Sequence, residues 1–361
     1  MRAAEFRPPS LMPKQALIDT LDLGSFSPPA PKKFKRAREP EVPSSDSDDS
    51  DDNSEVQSPP PKKFKYDQSP EEMLLKIKDA RRNKWKINEK GSVPDLLSKA
   101  GRFLLRKHGP FFESYDSLWV GLHMWGEDSA DLLRISKTLE SLNDYSPAYL
   151  QSCADTFTDL VTTVPDFKIL IPYLQARASR TLILSAFLDA HARASRSDDI
   201  SSLKKNVHYY INPIRLPSGD IVPTFISDGN DKSNRSWKDA SLARLLVPRK
   251  ERDKFDNDPY LYMRRVREGF IPITGYNYPS FMYDDSVPYR KSAMDVGLCR
   301  GYFSCSHLLK CFRNIFTGPW TANAKPGTGG KKGIAKKNSM RCVTPQNIAY
   351  IAVITRFAIN S

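Results

Sequence analysis

The segment from residue 344 to residue 360 constrains the fold most, because TPQNIAYIAVITRFAIN predicts a helix that is apolar on nearly every side. Thr344 can cap this helix, and Pro345 occupies the first helical position, where a missing N–H costs nothing. Apolar side chains recur at helical spacing in two stripes, Ile348, Ile351, Ala352, Thr355 and Ile359, and Tyr350, Ile354 and Phe357. We therefore expect a core helix, with Arg356 either paired or leading out to solvent.

A second apolar helix is predicted shortly before it, in the sequence HLLKCFRNIF at residues 307–316. One face of that helix carries Leu308, Leu309, Phe312, Ile315 and Phe316. The pattern ends at Thr317-Gly318-Pro319, since glycine favours a helix end and proline cannot continue the helix. We expect these two helices to pack together.

A loop rich in glycine and cations, and free of acids, connects the two helices. Within this loop, residues 322–341, the basic residues are Lys325, Lys331, Lys332, Lys336, Lys337 and Arg341. Residues 286–361 contain 12 Lys or Arg and 1 Asp, a net charge of +11. Residues 101–285 contain 24 residues of each sign, so the cation excess of the folded part is concentrated at its C-terminal end.

The loop has three interpretations. Clustered cations bind the phosphates of DNA or RNA without reading sequence, and Trp320 and Met340 flank the cluster. Base stacking could come from Tyr276, Tyr278, Phe281 and Tyr283, although core packing suits most of them better. The same charge would also attract an acidic protein partner, or the loop could be a solvated flexible linker.

The first 70 residues differ in composition from the rest, with 12 of the 28 prolines and few large aliphatic side chains. We expect this segment to be disordered, because it cannot bury enough apolar surface to offset the entropy of ordering. It contains a repeat, SPPAPKKFK at 27–35 and SPPPKKFK at 58–65, and the first copy continues into Arg36 and Arg38. The basic residues of the two clusters are Lys32, Lys33, Lys35, Arg36, Arg38, Lys62, Lys63 and Lys65. Such clusters are typical of signals bound by a nuclear import carrier, and also of generic basic tails. The repeat predicts a nuclear location.

An acidic block, SSDSDDSDDNSE at residues 44–55, lies between the two basic repeats. Ser45, Ser47 and Ser50 are embedded in acids and resemble the substrates of acid-directed kinases, so we predict phosphorylation there. The block is either a solvated spacer or a competitor that folds back on the basic loop.

The remaining chain, residues 71–361, is predicted to be one globular domain. Helical periodicity begins at Ser69-Pro70-Glu71-Glu72 and is longest over residues 147–194, where Pro165 should break it. Residues 206–226 alternate in the manner of a β-hairpin. The predicted fold class is therefore mainly α with a small β-hairpin element, α+β.

Neither a membrane segment nor a secretory leader is expected. No apolar run reaches the roughly 18–20 residues of a membrane span, and the start, MRAAEFRPPS, lacks an apolar leader core. Five cysteines are a sparse, odd set, which favours reduced thiols in an intracellular compartment.

No enzyme signature is evident. The soft ligand types Cys299, Cys305, His307 and Cys311 lack the paired spacing of a zinc knuckle. Carboxylates at Asp253, Asp256, Asp258, Asp284 and Asp285 lack the glycine turn and bidentate Glu of a calcium loop. GTGGKKG departs from the phosphate-loop pattern. We expect no metal and no cofactor, and we predict a non-enzymatic nuclear protein that contacts nucleic acid or chromatin. The alternatives are an interaction module for an acidic protein and, less favoured, a divergent metal-dependent enzyme.

Four motifs are similar to a family. ARLLVP at 243–248, REGFIPITGYNYPSFMYDD at 267–285, LLKCFRNIFTGP at 308–319 and RCVTPQNIAYIAVITRFAINS at 341–361 resemble an uncharacterised domain family expanded in basidiomycete fungi, over roughly residues 150–361. The resemblance implies a lineage and a domain boundary but no activity. Members usually carry a Cys before the proline of the first motif, where this chain has Val247, which argues against thiol chemistry there.

Overall fold

A computed structural model describes residues 68–125, 145–211, 214–215, 219, 221–222, 235–274, 277–284, 287, 301–324 and 333–360. The chain divides into two units, Met1–Tyr66 and Asp67–Ser361, and every described residue belongs to the second unit. Most of the predicted disordered tail, residues 1–70, therefore lies outside the described residues.

The described residues contain twelve α-helices. They are α1 (Pro70–Arg82), α2 (Val93–His108), α3 (Ser114–Met124), α4 (Pro147–Thr163), α5 (Phe167–Gln175), α6 (Ala178–Asn206), α7 (Ala240–Leu246), α8 (Arg252–Asn257), α9 (Pro259–Arg267), α10 (Ser306–Phe316), α11 (Ile334–Lys337) and α12 (Pro345–Asn360). Short 3-10 turns occupy Val207–Tyr210, Ser236–Lys238, Arg249–Glu251, Ser280–Met282 and Pro319–Thr321.

Local capping determines where several helices begin. The Ser69 hydroxyl accepts a hydrogen bond from the Glu72 N–H, and the Glu72 carboxylate accepts one from the Ser69 N–H, which satisfies two helix-end donors at once. The Thr344 hydroxyl accepts from the Asn347 N–H at 3.3 Å at the start of α12. The helix starts predicted at residues 69–72 and 344–345 are confirmed.

A first hydrophobic core joins α1 to α5 with the first half of α6. Its fully buried side chains include Met73, Ile77, Leu97, Leu170 and Phe187. Each side chain of this size contributes about 1.5–3 kcal/mol when it leaves water. Every buried residue of this core lies between Met73 and Leu188.

A second hydrophobic core surrounds α12, where Tyr350, Ile351, Ile354 and Ile359 are completely buried. The second half of α6, helix α10 and two side chains of α2 close this core, and α10 packs against α12 as predicted. Helix α12 is thus a core helix. Arg356 leads outward, with its Nη2 atom donating to the Thr274 carbonyl at 3.1 Å.

A smaller cluster, formed by Ala240, Ala243, Val247, Phe255, Tyr262 and Met263, joins α7, α8 and α9. The Ser280 hydroxyl donates to the Val247 carbonyl at 2.8 Å, and the Ser280 N–H donates to the same oxygen at 2.9 Å. These bonds attach the segment 277–284 to α7. Helix α7 in turn contacts α12, which links the cluster to the second core.

The predicted α+β class, with a β-hairpin over residues 206–226, is wrong. Val207–Tyr210 form a 3-10 turn that continues α6, because burial of Val207 and Tyr210 in the second core outweighs their strand propensity. Extended pairing is limited to Ile214–Arg215 with Ile221–Val222. The described part of the chain is a helical fold, and two-residue strands of this kind do not build a sheet layer.

Candidate functional site

The C-terminal part of the predicted basic loop is attached to the second core. Ile334, Ala335 and Met340 pack against that core. Gly333 lies so close to the end of α10 that a Cβ atom there would come within 2.7 Å of the Phe316 carbonyl oxygen and of the Thr317 Cα. Glycine is required at this close approach, and it lets α11 start directly beside the last turn of α10.

Lys336, Lys337 and Arg341 form what we call the basic surface. All three side chains are exposed, and none pairs with an acid among the residues that the structure describes. Ile334 and Ala335 anchor α11, the helix that carries Lys336 and Lys337, to the second core. The other three predicted loop residues, Lys325, Lys331 and Lys332, lie outside the described residues.

One acid, Asp159, shares a cavity with the residue that follows Lys337, and this acid already has cationic partners. Asn338, which directly follows Lys337, lines a small cavity of about 30 Å³ together with Lys107, His108 and Asp159. Asp159 Oδ2 lies 2.8 Å from Lys107 Nζ and 3.0 Å from His108 Nε2. Burial alone would raise the pKa of Asp159, but these two hydrogen bonds outweigh burial and lower it. Asp159 is therefore a carboxylate neutralised by α2 and not by the basic surface.

Two exposed aromatic side chains border the same end of α10. Trp320, on the Pro319–Thr321 turn, is 95% exposed, and Tyr209 is 61% exposed. The Asn323 side-chain amide donates to the Tyr209 carbonyl at 3.4 Å, which joins the two turns. Sequence reasoning noticed Trp320 as a neighbour of the loop but missed Tyr209, because Tyr209 was assigned to a predicted strand.

The other stacking candidates are mostly unsuitable. Phe281 is fully buried and Tyr283 is 3% exposed, with the Arg249 guanidinium 4.3 Å from the Tyr283 ring centre. Tyr278 is half exposed, and Tyr276 lies outside the described residues. The core interpretation holds for the two buried rings.

The predicted sites of the tail cannot be placed. The import residues Lys32, Lys33, Lys35, Arg36, Arg38, Lys62, Lys63 and Lys65, and the phosphorylation candidates Ser45, Ser47 and Ser50, lie outside the described residues. These assignments stay predictions.

Three of the side chains weighed as metal ligands, Cys311, Asp256 and Asp258, have structural roles, whereas Cys299 and Asp285 lie outside the described residues. Cys311 is fully buried 3.7 Å from His307 Nε2, and burial raises the pKa of its thiol to about 12. Asp256 accepts two hydrogen bonds from Arg244, at 2.7 and 2.8 Å, and Asp258 caps α9. Within the described residues, no group of three His, Cys, Asp or Glu side chains could hold a metal ion.

A buried polar cluster, which sequence reasoning missed, joins α2, α6 and α12. Arg106 donates to Asp199 through Nε at 2.8 Å and through Nη2 at 2.6 Å. The Tyr350 hydroxyl donates to Asp199 Oδ2 at 2.7 Å, and the Asn347 amide donates to the Arg106 carbonyl at 2.7 Å. Burial, followed by the neighbouring Asp199 carboxylate, raises the pKa of Tyr350. These polar groups satisfy one another's hydrogen bonds, so the role of the cluster is to stabilise the fold.

Comparison with known proteins informs the C-terminal part of the chain. No curated protein and no solved structure matches it. Among the described residues, no helix has the length and apolar character that crossing a bilayer requires. Residues 190–361 match the model of a family described as "Family of unknown function (DUF6698)", which confirms for this segment the predicted resemblance to an uncharacterised domain family.

Proposed function

We propose that this chain is a non-enzymatic nuclear protein that binds the phosphate backbone of nucleic acid through its basic surface. The observation that carries the proposal is the exposure of Lys336, Lys337 and Arg341 on an anchored turn, without an acidic partner in the described part of the chain. Cations left in this state hold counterions, and a polyanion gains affinity by releasing them.

The surrounding sequence extends the same charge. Lys325, Lys331 and Lys332 belong to the eight-residue stretch between Ala324 and Gly333. Both of those flanking residues are described, and Gly333 lies against the end of α10. This stretch adds three cations and no acid to the sequence directly before α11. A total of six cations with no acid among them favours a polyanion over a protein with a few scattered carboxylates.

The nuclear location rests on the two basic repeats of the tail, whose lysines an import carrier could bind. Replacing Lys32, Lys33, Lys62 and Lys63 by Ala in a fluorescent fusion of the full chain should move the fusion to the cytoplasm. A wild-type fusion that never enters the nucleus would remove this part of the proposal.

The binding proposal is tested by fluorescence anisotropy with labelled DNA over a salt series. The slope of log K against log salt is about −0.9 per neutralised phosphate on duplex DNA. The triple variant Lys336→Ala, Lys337→Ala and Arg341→Ala should therefore reduce the slope by up to about 2.7. Its fold should be unaffected, since exposed substitutions typically change stability by about 0.5 kcal/mol or less.

A matched control removes the same charge elsewhere. Lys99, Lys254 and Arg264 are exposed cations that each face an acid, Asp95 at 2.7 Å, Glu251 at 3.2 Å and Glu268 at 4.0 Å respectively. Changing these three to Ala should leave the salt slope nearly unchanged. An equal reduction of the salt slope in both triple variants, or no binding of DNA by the wild type at low salt, would overturn the proposal. Tight binding of polyglutamate with no binding of DNA or RNA would favour the acidic-partner alternative.

A further inference from the structure

Trp320 is the most exposed large apolar side chain in the described residues, at 95%. It directly follows α10 on the Pro319–Thr321 turn, and no aromatic or cationic partner covers its ring within the described residues. A single exposed apolar residue needs no explanation by itself. The residues around Trp320 are what indicate a role for it.

The second exposed aromatic residue, Tyr209, lies at the same end of the fold. The Asn323 amide donates to the Tyr209 carbonyl and the Lys310 ammonium donates to the Tyr210 carbonyl, both at 3.4 Å. These contacts join the Val207–Tyr210 turn to α10 and to the turn of Trp320. The buried His208 ring lies beside the Tyr209 ring, with the ring centres 3.8 Å apart and the ring planes tilted by 47°.

The basic surface begins at this same place. Gly333 touches the Thr317 backbone, Trp320 follows Thr317 by three residues, and Lys336 follows Gly333 by three residues. Three residues of extended chain span at most about 11 Å. Trp320 and Lys336 are therefore each only three residues along the chain from the contact between Gly333 and Thr317, at the end of α10.

We propose that Trp320 and Tyr209, which we call the aromatic edge, stack on unpaired bases, so that the ligand of the basic surface is single-stranded nucleic acid. This inference rests on the proposed function. In a duplex the base faces are covered by their neighbours, whereas a single strand presents them, and aromatic rings stack on every base type. Cations that follow the backbone beside aromatic platforms are the usual arrangement of single-strand binding surfaces.

The test compares full-length wild type with Trp320→Ala, on an oligothymidine strand of about 20 nucleotides, longer than a typical single-domain site, and on a duplex of equal length. We expect Trp320→Ala to weaken single-strand binding about 5- to 150-fold, the equivalent of about 1–3 kcal/mol per stacked base. Its salt slope and its duplex affinity should not change. Tyr209→Ala should act in the same direction, and Trp320→Phe should retain most of the affinity.

Phe270→Ala and Tyr260→Ala are the controls, because these rings are also exposed, at 75% and 72%, but do not border α10. Neither should change single-strand binding. Unchanged single-strand affinity in Trp320→Ala, or equal losses on single strand and duplex, would overturn the aromatic edge while leaving the basic surface in place. If wild type binds neither DNA form nor RNA, the proposed function fails, and this inference fails with it.

Discussion

The helices before residue 190 and the segment 190–361 differ in how each closes its core. All buried residues of the first core lie between Met73 and Leu188, so that core takes no buried apolar side chain from the family-matched segment. The second core takes Phe103 and Leu105 from α2, and its buried Asp199 takes Arg106 from the same helix. The second core therefore uses buried side chains from before residue 190, whereas the first core uses none from after it. In this chain, residue 190 is a family boundary but not a folding boundary.

The position of the boundary within α6 supports this view. Helix α6 runs from Ala178 to Asn206 as one element, so the family match begins inside a helix. Its first half belongs to the first core and its second half to the second core. The family segment, as it occurs here, is assembled on a platform supplied by the preceding helices.

The largest expected effect comes from cutting the chain at this boundary. A fragment of residues 190–361 loses Phe103, Leu105 and Arg106, and leaves Asp199 buried without its cation. Loss of two large buried side chains costs about 1.5–3 kcal/mol each, and an unpaired buried charge costs about 3–5 kcal/mol. Together these are of the order of a whole domain's stability, about 5–15 kcal/mol. Urea titration followed by circular dichroism should show no cooperative transition.

The fragments 68–206 and 68–361 are the controls for this cut. Both should unfold cooperatively, because 68–206 contains the complete first core and ends with α6. A cooperative transition of fragment 190–361, with a midpoint near that of 68–361, would show that the family segment is autonomous and would break the comparison.

A smaller effect is expected from single substitutions at the joint between the two cores. Arg106→Ala should lower the free energy of unfolding by about 3–5 kcal/mol, because it leaves the buried Asp199 unpaired. Arg102, one turn earlier on α2, pairs with Asp198 on the surface, and Arg102→Ala should cost only about 0–1 kcal/mol. Urea midpoints of the two variants provide the measurement. Similar losses of unfolding free energy in the two variants would mean that the Arg106–Asp199 pair does not join the two cores.

What the sequence predicted well is local in origin. The predicted starts of α1, at Ser69-Pro70, and of α12, at Thr344-Pro345, depend only on neighbouring residues. The break at Pro165 falls between α4 and α5 as expected. The packing of α10 on α12 also followed from spacing alone, although Leu309, which was assigned to the apolar face of α10, is 51% exposed. The fungal lineage suggested by the motifs is not tested by the family match and stays a prediction.

What the sequence could not predict depends on distant partners. Val207 and Tyr210 alternate like a strand, yet burial against α10 and α12 makes them part of a helical turn. Arg106 and Asp199 are 93 positions apart, and nothing in either local sequence pairs them. In the candidate site, spacing identified Lys336, Lys337 and Arg341. Their anchoring through Gly333 and the proximity of Tyr209 depend on how α10 packs.

The smallest expected effect is a pH dependence at the same joint. His191, the second residue of the family match, lies against Gly101 of α2, and burial, aided by the Arg102 charge, lowers its pKa to about 4. The unfolded chain, with a histidine pKa of about 6.5, binds more protons between these values, so stability should fall as pH drops from 7 to 5. The urea midpoint of His191→Gln should fall less over this range, whereas exposed His123→Gln should match wild type. Identical slopes in all three proteins would show that α2 does not bury His191.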